Sequence, residues 1–336
     1  MRQNIFFLLR FGGGALLALI ATNWLAERLD LRWDDVPNHS YLQVVRDFQD
    51  SPNQVDVVFF GTSSMRNAVA PEALAESLGA QLGRPAEVWN LAMPGATPEI
   101  ARFYARELFA QQPPKVFVLE AAPFLWDADR ARHPDSEVYW RWFAGVRELF
   151  TESDRMRRRD LPEAIYGLSW GIESLWMASG VVGEDFPEGP HHTAKFGGVY
   201  EMQELPMARR QPPVTEQKAV REKLRVGGYT TSEAWREDLR EIAELCKQNG
   251  VQLILVHQPF YADLLDHFEA GAYPKYMQWM EQNAQELDLE FYNLHEDWEL
   301  PMEHYRDFIH YAPQGAAWFS NRLALEVLAP MLQETK

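Results

Sequence analysis

Two adjacent hydroxyls and a carboxylate–imidazole pair are the groups of this chain best suited to nucleophilic chemistry. Ser63 and Ser64 follow an apolar run, while Asp307 and His310 lie three residues apart near the C-terminus. A serine hydroxyl is a poor nucleophile until a base removes its proton, and that base needs an orienting carboxylate. On a helical turn, a spacing of three places both side chains on one face. The pattern predicts Ser63 as nucleophile, His310 as base and Asp307 as orienting acid.

The elements that must position these groups follow from five short apolar runs that alternate with helical patterns. The predicted strands cover residues 55–60, 87–91, 116–119, 251–256 and 289–294. Alternation of this kind predicts βαβ units and a parallel sheet, in which ligands bind beyond the carboxyl ends of the strands. Ser63 follows the first run, where Gly61 permits a tight turn before a helix that Pro71 opens. The Ser63 N–H is therefore predicted near a helix N-terminus, which favours negative charge.

The second predicted strand supplies a further backbone donor. Gly95 follows this strand, just before a helix predicted over residues 98–110. The N–H groups of Ser63 and Gly95 are therefore predicted to face the oxyanion of a tetrahedral intermediate. Asn90, at the end of the same strand, is a candidate pocket residue.

Further polar residues near the strand ends and the C-terminus leave alternatives open. Ser64 is either a second candidate nucleophile or a helix cap. Glu120 ends the third run and either contacts substrate or pairs with an arginine. His257 ends the fourth run and either lines the pocket or is a hydrogen-bonded structural histidine. His304 is an alternative base.

Taken in order, these blocks resemble those of the SGNH/GDSL hydrolase superfamily. GTSS stands at the nucleophile block, NLAMPGAT matches the second block, and DFIH followed by GAAWFSNRLA matches the C-terminal Asp-x-x-His block. The resemblance spans residues 55–328, with one interruption, and implies a three-layer, flavodoxin-like α/β fold with a five-stranded parallel sheet. It also implies that Ser63 is the nucleophile, Gly95 an oxyanion donor, Asp307 the orienting acid and His310 the base.

The third block departs from the family pattern. Where the family has Gly-x-Asn-Asp, this chain has Glu120-Ala121-Ala122-Pro123 and lacks the asparagine that donates to the oxyanion. Loss of one such donor costs on the order of 10²–10³ in rate where it normally operates. The relaxed block is similar to that of membrane-anchored relatives that move acyl groups onto cell-envelope polymers, including D-alanine transfer proteins.

The N-terminal segment predicts a membrane anchor. Residues 5–26 are apolar except for Arg10, Thr22 and Asn23, and about twenty residues suffice to cross a bilayer. Arg2 and Arg10 favour a cytoplasmic N-terminus. A cleaved signal peptide and a buried helix are the alternatives. We therefore predict an anchor at residues 1–28, a linker at 29–54 and an α/β domain at 55–336, with an insertion or lid at about 126–231.

Composition narrows the function classes. The formal net charge of the 336 residues is −17, which argues against nucleic acid or anionic lipid as the main partner. Cys246 is the only cysteine, so no intramolecular disulfide forms, and its helical position predicts a core residue. His191 and His192 lack a convincingly spaced third ligand, and we expect neither a metal nor a cofactor.

These expectations combine into one functional hypothesis with two alternatives. The hypothesis is serine-dependent acyl transfer to an envelope polysaccharide or glycolipid. The enzyme would be anchored by a single span in the inner membrane, with its catalytic domain on the extracytoplasmic face. A multi-pass membrane acyltransferase is the expected donor partner. The first alternative is an esterase that uses water. The second is a catalytically silent domain that binds glycan or acts as a scaffold for a membrane acyltransferase.

Overall fold

All five apolar runs form strands of one parallel sheet. The computed structural model describes residues 40–93, 96–126, 232–261 and 270–334, together with residues 21, 264, 265 and 268. The strands are β1 Val57–Phe60, β2 Val88–Asn90, β3 Val116–Glu120, β4 Gln252–His257 and β5 Glu290–Asn293. They pair in parallel in the order β2-β1-β3-β4-β5. The predicted α/β class is confirmed, and the strand order is that of flavodoxin-like sheets.

Helices connect the strands and continue to the C-terminus. In chain order they are α1 Ser40–Gln49, α2 Ser63–Ala68, α3 Pro71–Leu82, α4 Pro98–Glu107, α5 Pro123–Trp126, α6 Glu233–Gln248, α7 Ala272–Glu286, α8 Leu294–Asp297, α9 Pro313–Leu323 and α10 Ala329–Glu334. A 3₁₀ turn covers Met302–His304, and a π-helical turn, Ala324–Leu328, joins α9 to α10. Pro71 lies in the first turn of α3 as predicted, and Gly83, with φ of 67°, ends that helix.

Alternate residues of the central strands pack against helices on opposite faces of the sheet. Val57 and Phe59 belong to a buried cluster with residues of α3 and α9. Val58 and Phe60 point to the other face, where the Phe60 ring lies 4.9 Å from that of Tyr104 in α4. Helices α4 and α6 pack together, as do α3 and α9. Because β1 and β3 are covered on both faces, every residue in them is buried.

Helix α1 lies within the segment that was predicted as a linker. Val44, Val45 and Phe48 form its buried stripe, and the Phe48 ring lies 5.8 Å from that of Trp89 in β2. An amphipathic helix that buries its apolar side chains against the sheet is part of the domain. The folded domain therefore includes residue 40, whereas the sequence analysis began it at residue 55.

The predictions for the N-terminus and the insertion concern residues that the structure does not describe. The proposed anchor at residues 1–28 lies outside the described residues except for Ala21, and nearly all of the insertion at 126–231 lies outside them. Within the described ranges, no helix has the length and apolar character needed to span a bilayer. Apart from residue 21, the described residues belong to one of two units of the chain, the one containing residues 40–133 and 191–336.

Candidate active site

The turn after β1 places Ser63 at the first position of α2. Thr62 caps this helix, and its Oγ1 accepts a hydrogen bond from the Ser64 backbone N–H at 3.3 Å. Ser63 is partly exposed, whereas Thr62 and Ser64 are buried. Among the described residues, the Ser63 N–H has no hydrogen-bond acceptor. Within the described residues, the Ser63 N–H is therefore an unused donor at the start of the helix.

The structure brings together the three residues predicted to share the chemistry. His310 Nε2 lies 2.9 Å from Ser63 Oγ, although the two residues are 247 positions apart. His310 Nδ1 lies 2.7 Å from Asp307 Oδ2. Because an ionised carboxylate only accepts hydrogen bonds, it holds the proton on Nδ1 and leaves the Nε2 lone pair facing the Ser63 hydroxyl. This geometry allows His310 to remove the Ser63 proton.

The segment that carries Asp307 and His310 is a closed loop, and the helical turn predicted for it is wrong. Residues 306–309 are bends, and Tyr305 and Tyr311 on either side form an antiparallel bridge. The Tyr311 hydroxyl donates to a backbone carbonyl of the segment after β4 at 2.6 Å, which anchors the loop to the sheet. The two side chains share a side because of this loop geometry.

The Asp307 carboxylate organises the loop as well as the imidazole. Its Oδ1 accepts the backbone N–H groups of Ile309 at 3.0 Å and His310 at 2.9 Å. Burial alone would raise the pKa of Asp307, but electrostatic attraction to His310 and hydrogen bonds from the His310 ring and the Ile309 N–H outweigh burial and lower the pKa well below its usual range. Asp307 therefore stays ionised at neutral pH, as an orienting carboxylate must.

The segment after β2 lies beside the Ser63 turn. The Met93 N–H donates to the Gly61 carbonyl at 3.0 Å, and the Leu91 N–H donates to the Phe59 carbonyl at 2.9 Å. These bonds continue the pairing of β1 and β2 beyond the strands. Gly95 lies outside the described residues, so its role as an oxyanion donor stays a prediction.

Ser64 and Glu120, predicted as pocket residues, are completely buried beneath the turn. The Ser64 hydroxyl donates to the Glu120 carboxylate, which also accepts the Thr62 N–H and, at 2.6 Å, Gln258 Nε2. Neither side chain lines an open pocket, because the carboxylate is enclosed by these donors. Ser64 Oγ donates inward to Glu120, whereas Ser63 Oγ lies beside His310 Nε2.

Asn90 and His257 are also buried, and of the two alternatives for His257 the structure shows the hydrogen-bonded histidine. Asn90 Nδ2 lies 3.2–3.4 Å from three backbone carbonyls of residues 65, 66 and 69, and Oδ1 accepts the Ala92 N–H at 3.1 Å. His257 bonds the Gln258 carbonyl through Nδ1 at 2.8 Å and lies stacked on His295. Burial and the neighbouring His295 lower the pKa of His257 to about 3, so it is neutral.

The alternative base does not occupy the position next to Ser63. His304 packs its ring against Trp318, with centroids 6.4 Å apart, and the base within reach of Ser63 is His310. The backbone carbonyl of His304 lies so close to Gly315 in α9 that a Cβ at residue 315 would overlap the carbonyl oxygen. His304 therefore belongs to the packing between the loop and α9.

Two residues that support the Ser63 turn, Asn67 and Gln258, were not predicted from the sequence. Asn67 Nδ2 donates to the Ser63 carbonyl at 2.7 Å, across one turn of α2. Gln258 reaches Glu120 from the end of β4. The spacing of four between Ser63 and Asn67 is a local signal that could have identified the first. Nothing local predicts the Gln258 contact, since its partner is 138 residues away.

No metal site is evident within the described ranges: no group of three or more His, Cys, Asp or Glu side chains there has the arrangement to hold an ion. The arrangement of Ser63, His310 and Asp307 supplies a nucleophile, a base and an orienting acid from side chains alone.

Solved structures of other proteins are similar to this chain in backbone structure. No protein-family model matches the chain, and no curated protein matches it. The crystal structure of a lipase/acylhydrolase from Enterococcus faecalis aligns with a TM-score of 0.39 and 11% sequence identity. The alignment covers 82% of this chain and 96% of the Enterococcus chain. A catalytic mutant of an acetylxylan esterase from Geobacillus stearothermophilus aligns with a TM-score of 0.36 and 13% sequence identity. The alignment covers 81% of this chain and 95% of the esterase chain. Neither similarity assigns an activity to this chain.

Proposed function

We propose that this protein performs O-acyl ester chemistry with Ser63 as its nucleophile. The observation that carries the proposal is the relay from Ser63 Oγ to His310 Nε2, at 2.9 Å, and from His310 Nδ1 to Asp307 Oδ2, at 2.7 Å. Nucleophile, base and orienting acid in hydrogen-bond contact are the requirement for serine acyl chemistry.

The proposed reaction has two halves. Ser63 Oγ attacks the acyl carbonyl carbon while His310 Nε2 takes the hydroxyl proton, and Asp307 stabilises the imidazolium. When the tetrahedral intermediate collapses, the ester C–O bond breaks, His310 protonates the departing alcohol, and the acyl group remains on Ser63. In the second half, His310 deprotonates an incoming alcohol or water, whose oxygen attacks the carbonyl carbon of the acyl-enzyme. The bond between this carbon and Ser63 Oγ then breaks, and His310 returns the proton to Ser63 Oγ.

The oxyanion of this intermediate needs backbone donors. The N–H of Ser63 is available at the start of α2, and Gly95 is the proposed second donor. The position where the family pattern has an asparagine carries Ala122, whose side chain has no hydrogen-bond donor. The proposed oxyanion hole therefore has no side-chain donor from this block, and we expect slower turnover than in a three-donor site.

Acyl transfer is the finer form of the proposal. The acceptor would be a hydroxyl of an envelope polysaccharide or glycolipid, and a multi-pass membrane acyltransferase would supply the acyl group. The support is sequence-based: the apolar N-terminal segment and the relaxed third block, both similar to membrane-anchored acyl-transfer proteins. On this proposal, the N-terminal segment is a single inner-membrane span, and the α/β domain lies on the extracytoplasmic face.

A serine-reactive fluorophosphonate probe tests the nucleophile. We expect labelling of the intact protein, loss of labelling in Ser63→Ala, and normal labelling in Ser77→Ala. Ser77 is a suitable control because its hydroxyl bonds Asn321 on the surface. Labelling that persists in Ser63→Ala would assign the nucleophile elsewhere. An unlabelled wild-type protein would favour the silent glycan-binding or scaffold alternative.

Transfer and hydrolysis are separated by an acceptor experiment. The protein is incubated with an activated acetyl ester, with and without glycan acceptors, and both acetate and acetylated glycan are measured. Transfer predicts acetylated glycan at the expense of free acetate. Acetate release unaffected by any acceptor would support the esterase alternative.

A further inference from the structure

Glu120 is a buried acid directly behind the turn that carries Ser63. Glu120 is the last residue of β3, and its exposed fraction is 0%. In the register of β1 and β3, Phe60 pairs with Leu119, which brings Glu120 alongside Gly61. A Cβ on Gly61 would overlap the Glu120 side chain, including Oε2. The glycine therefore allows the carboxylate to approach the turn.

The Glu120 carboxylate is satisfied by donors on both sides of Ser63. Oε2 accepts the backbone N–H of Thr62, and Oε1 accepts the Ser64 hydroxyl. Gln258 Nε2 adds a bond to Oε1 at 2.6 Å. Burying a carboxylate costs several kcal/mol unless hydrogen bonds compensate, so these contacts are required for its burial. The residues before and after Ser63 are thus tied to one side chain.

The hydroxyls beside Ser63 complete a directed chain. Thr62 Oγ1 lies 2.8 Å from Ser64 Oγ and accepts the Ser64 N–H at 3.3 Å. Because Ser64 donates its hydroxyl hydrogen to Glu120, Thr62 donates its own to Ser64 Oγ. Each hydroxyl then has one donor role, and the chain ends on the carboxylate. Neither flanking hydroxyl is free to compete with Ser63 for His310.

We infer that Glu120 is a positioning residue: its carboxylate holds both neighbours of Ser63 and so keeps Ser63 Oγ within hydrogen-bond reach of His310 Nε2. The predicted effect on rate rests on the proposed nucleophilic role of Ser63, whereas the effect on geometry does not. A displacement of about 1 Å is enough to cost about 10²-fold in rate. The end of β3 thereby orients the nucleophile in place of donating to the oxyanion.

Glu120→Gln is the sharpest test, with Asp56→Asn as its matched control. Glutamine keeps the volume of Glu120 but replaces one acceptor oxygen with a donor NH₂, which opposes the donors that surround it. Asp56 is also buried, but it lies before β1 at the other end of the sheet. With a small activated ester and the full chain, we expect kcat of Glu120→Gln to fall about 10- to 100-fold with KM within about twofold. Asp56→Asn should retain kcat.

A crystal structure of Glu120→Gln tests the geometry without relying on activity. We expect the separation of Ser63 Oγ and His310 Nε2, 2.9 Å in the native protein, to exceed about 3.5 Å. An unchanged separation together with an unchanged kcat would overturn the inference and leave the proposed function standing. A wild-type protein inert to both ester and probe would overturn the proposed function, and the structure would still decide the positioning role.

Ser64→Ala keeps the inference testable if Glu120→Gln does not fold. It removes one donor to the carboxylate and leaves Thr62 N–H and Gln258 Nε2 in place. We expect kcat to fall about two- to tenfold and the Ser63–His310 separation to lengthen or become heterogeneous. A Ser64→Ala protein with native kcat and native separation would contradict the positioning role.

Discussion

Two carboxylates lie almost completely buried at opposite ends of the sheet, and their surroundings differ. Asp56 precedes β1 at the amino end, where Arg84 lies at 2.6 Å and Lys115 at 2.9 Å. Glu120 closes β3 at the carboxyl end and accepts hydrogen bonds from the neutral groups of Thr62, Ser64 and Gln258. The same chemical group is thus neutralised by cations at one end and solvated by fixed dipoles at the other.

The two carboxylates have different structural roles: Asp56 joins strands at the amino end of the sheet, and Glu120 contacts the turn that carries Ser63 at the carboxyl end. Asp56 itself precedes β1, and it contacts residues that precede two further strands: it accepts the Glu87 N–H before β2 at 3.0 Å and pairs with Lys115 before β3 at 2.9 Å. These contacts join the strand starts and stabilise the sheet. Glu120 instead restrains one turn, which carries a partly exposed serine. Ligands of parallel sheets bind at the carboxyl ends, so positional accuracy matters there.

The largest expected effect is at the carboxyl end, in Asp307→Asn. An amide at this position no longer holds His310 with its proton on Nδ1, so the base faces Ser63 in the wrong tautomer. We expect kcat for an activated ester to fall about 10⁴-fold while the fold is retained. Steady-state kinetics and circular dichroism check this. A kcat within tenfold of the native value would show that Asp307 does not orient the base.

Two glycine substitutions compare the ends directly. In Gly61→Ala the new methyl group overlaps Glu120 and Met65, so we expect a loss of about 1–3 kcal/mol in unfolding free energy and at least about tenfold in kcat. In Gly83→Ala no atom lies within 4 Å of the new methyl group, and the only cost is a backbone φ of 67°, which alanine rarely adopts. That variant should lose about 1–2 kcal/mol with native kcat. Urea unfolding and ester kinetics measure both, and equal kcat losses would contradict the division between the ends.

Asp56→Asn should change stability but not activity. Burial raises the pKa of Asp56, but hydrogen bonds from Arg84, Lys115 and the Glu87 N–H outweigh it and lower the pKa below its usual value. A lowered pKa stabilises the fold above about pH 4 and loses that contribution as pH falls through the folded value. We expect the variant to be about 1–3 kcal/mol less stable at pH 7 and to lose less stability below pH 4.

Unfolding curves at pH 7, 5 and 3.5 test this expectation, with kcat as the control. Parallel loss of stability in native and variant proteins on acidification would show that Asp56 does not contribute to the acid sensitivity.

The smallest expected effect is at Cys246, near the end of α6 on the amino side of β4. The thiol is 1% exposed, and burial raises its pKa to about 12. We expect no alkylation by iodoacetamide at pH 8 in the folded protein and rapid alkylation in urea, followed by mass spectrometry. Fast modification of the folded protein would show that the amino end opens.

Much of the fold follows from local sequence. Each predicted strand overlaps an observed one, and the helix predicted over residues 98–110 begins at Pro98, which lies in its first turn, and ends at Glu107. Hydrophobic periodicity and caps act over a few residues, so they can be identified without tertiary contacts. Helix α1 was not predicted, because it lies within the predicted linker and its apolar stripe is short. The stripe consists of Val44, Val45 and Phe48.

The candidate site likewise has features that the sequence predicts and features that only tertiary contacts define. Residue types and the block resemblance were sufficient to predict which groups meet Ser63, although the helical turn inferred from the spacing of Asp307 and His310 is wrong. Only the tertiary structure decided that Ser64, Asn90, Glu120 and His257 are buried supports, since burial depends on neighbours from other strands. The partners of Glu120 lie 56 to 138 residues away from it, and contacts over such separations leave no local pattern. Chemistry-bearing residues are therefore visible in the chain, whereas the side chains that aim them are defined by the packed sheet.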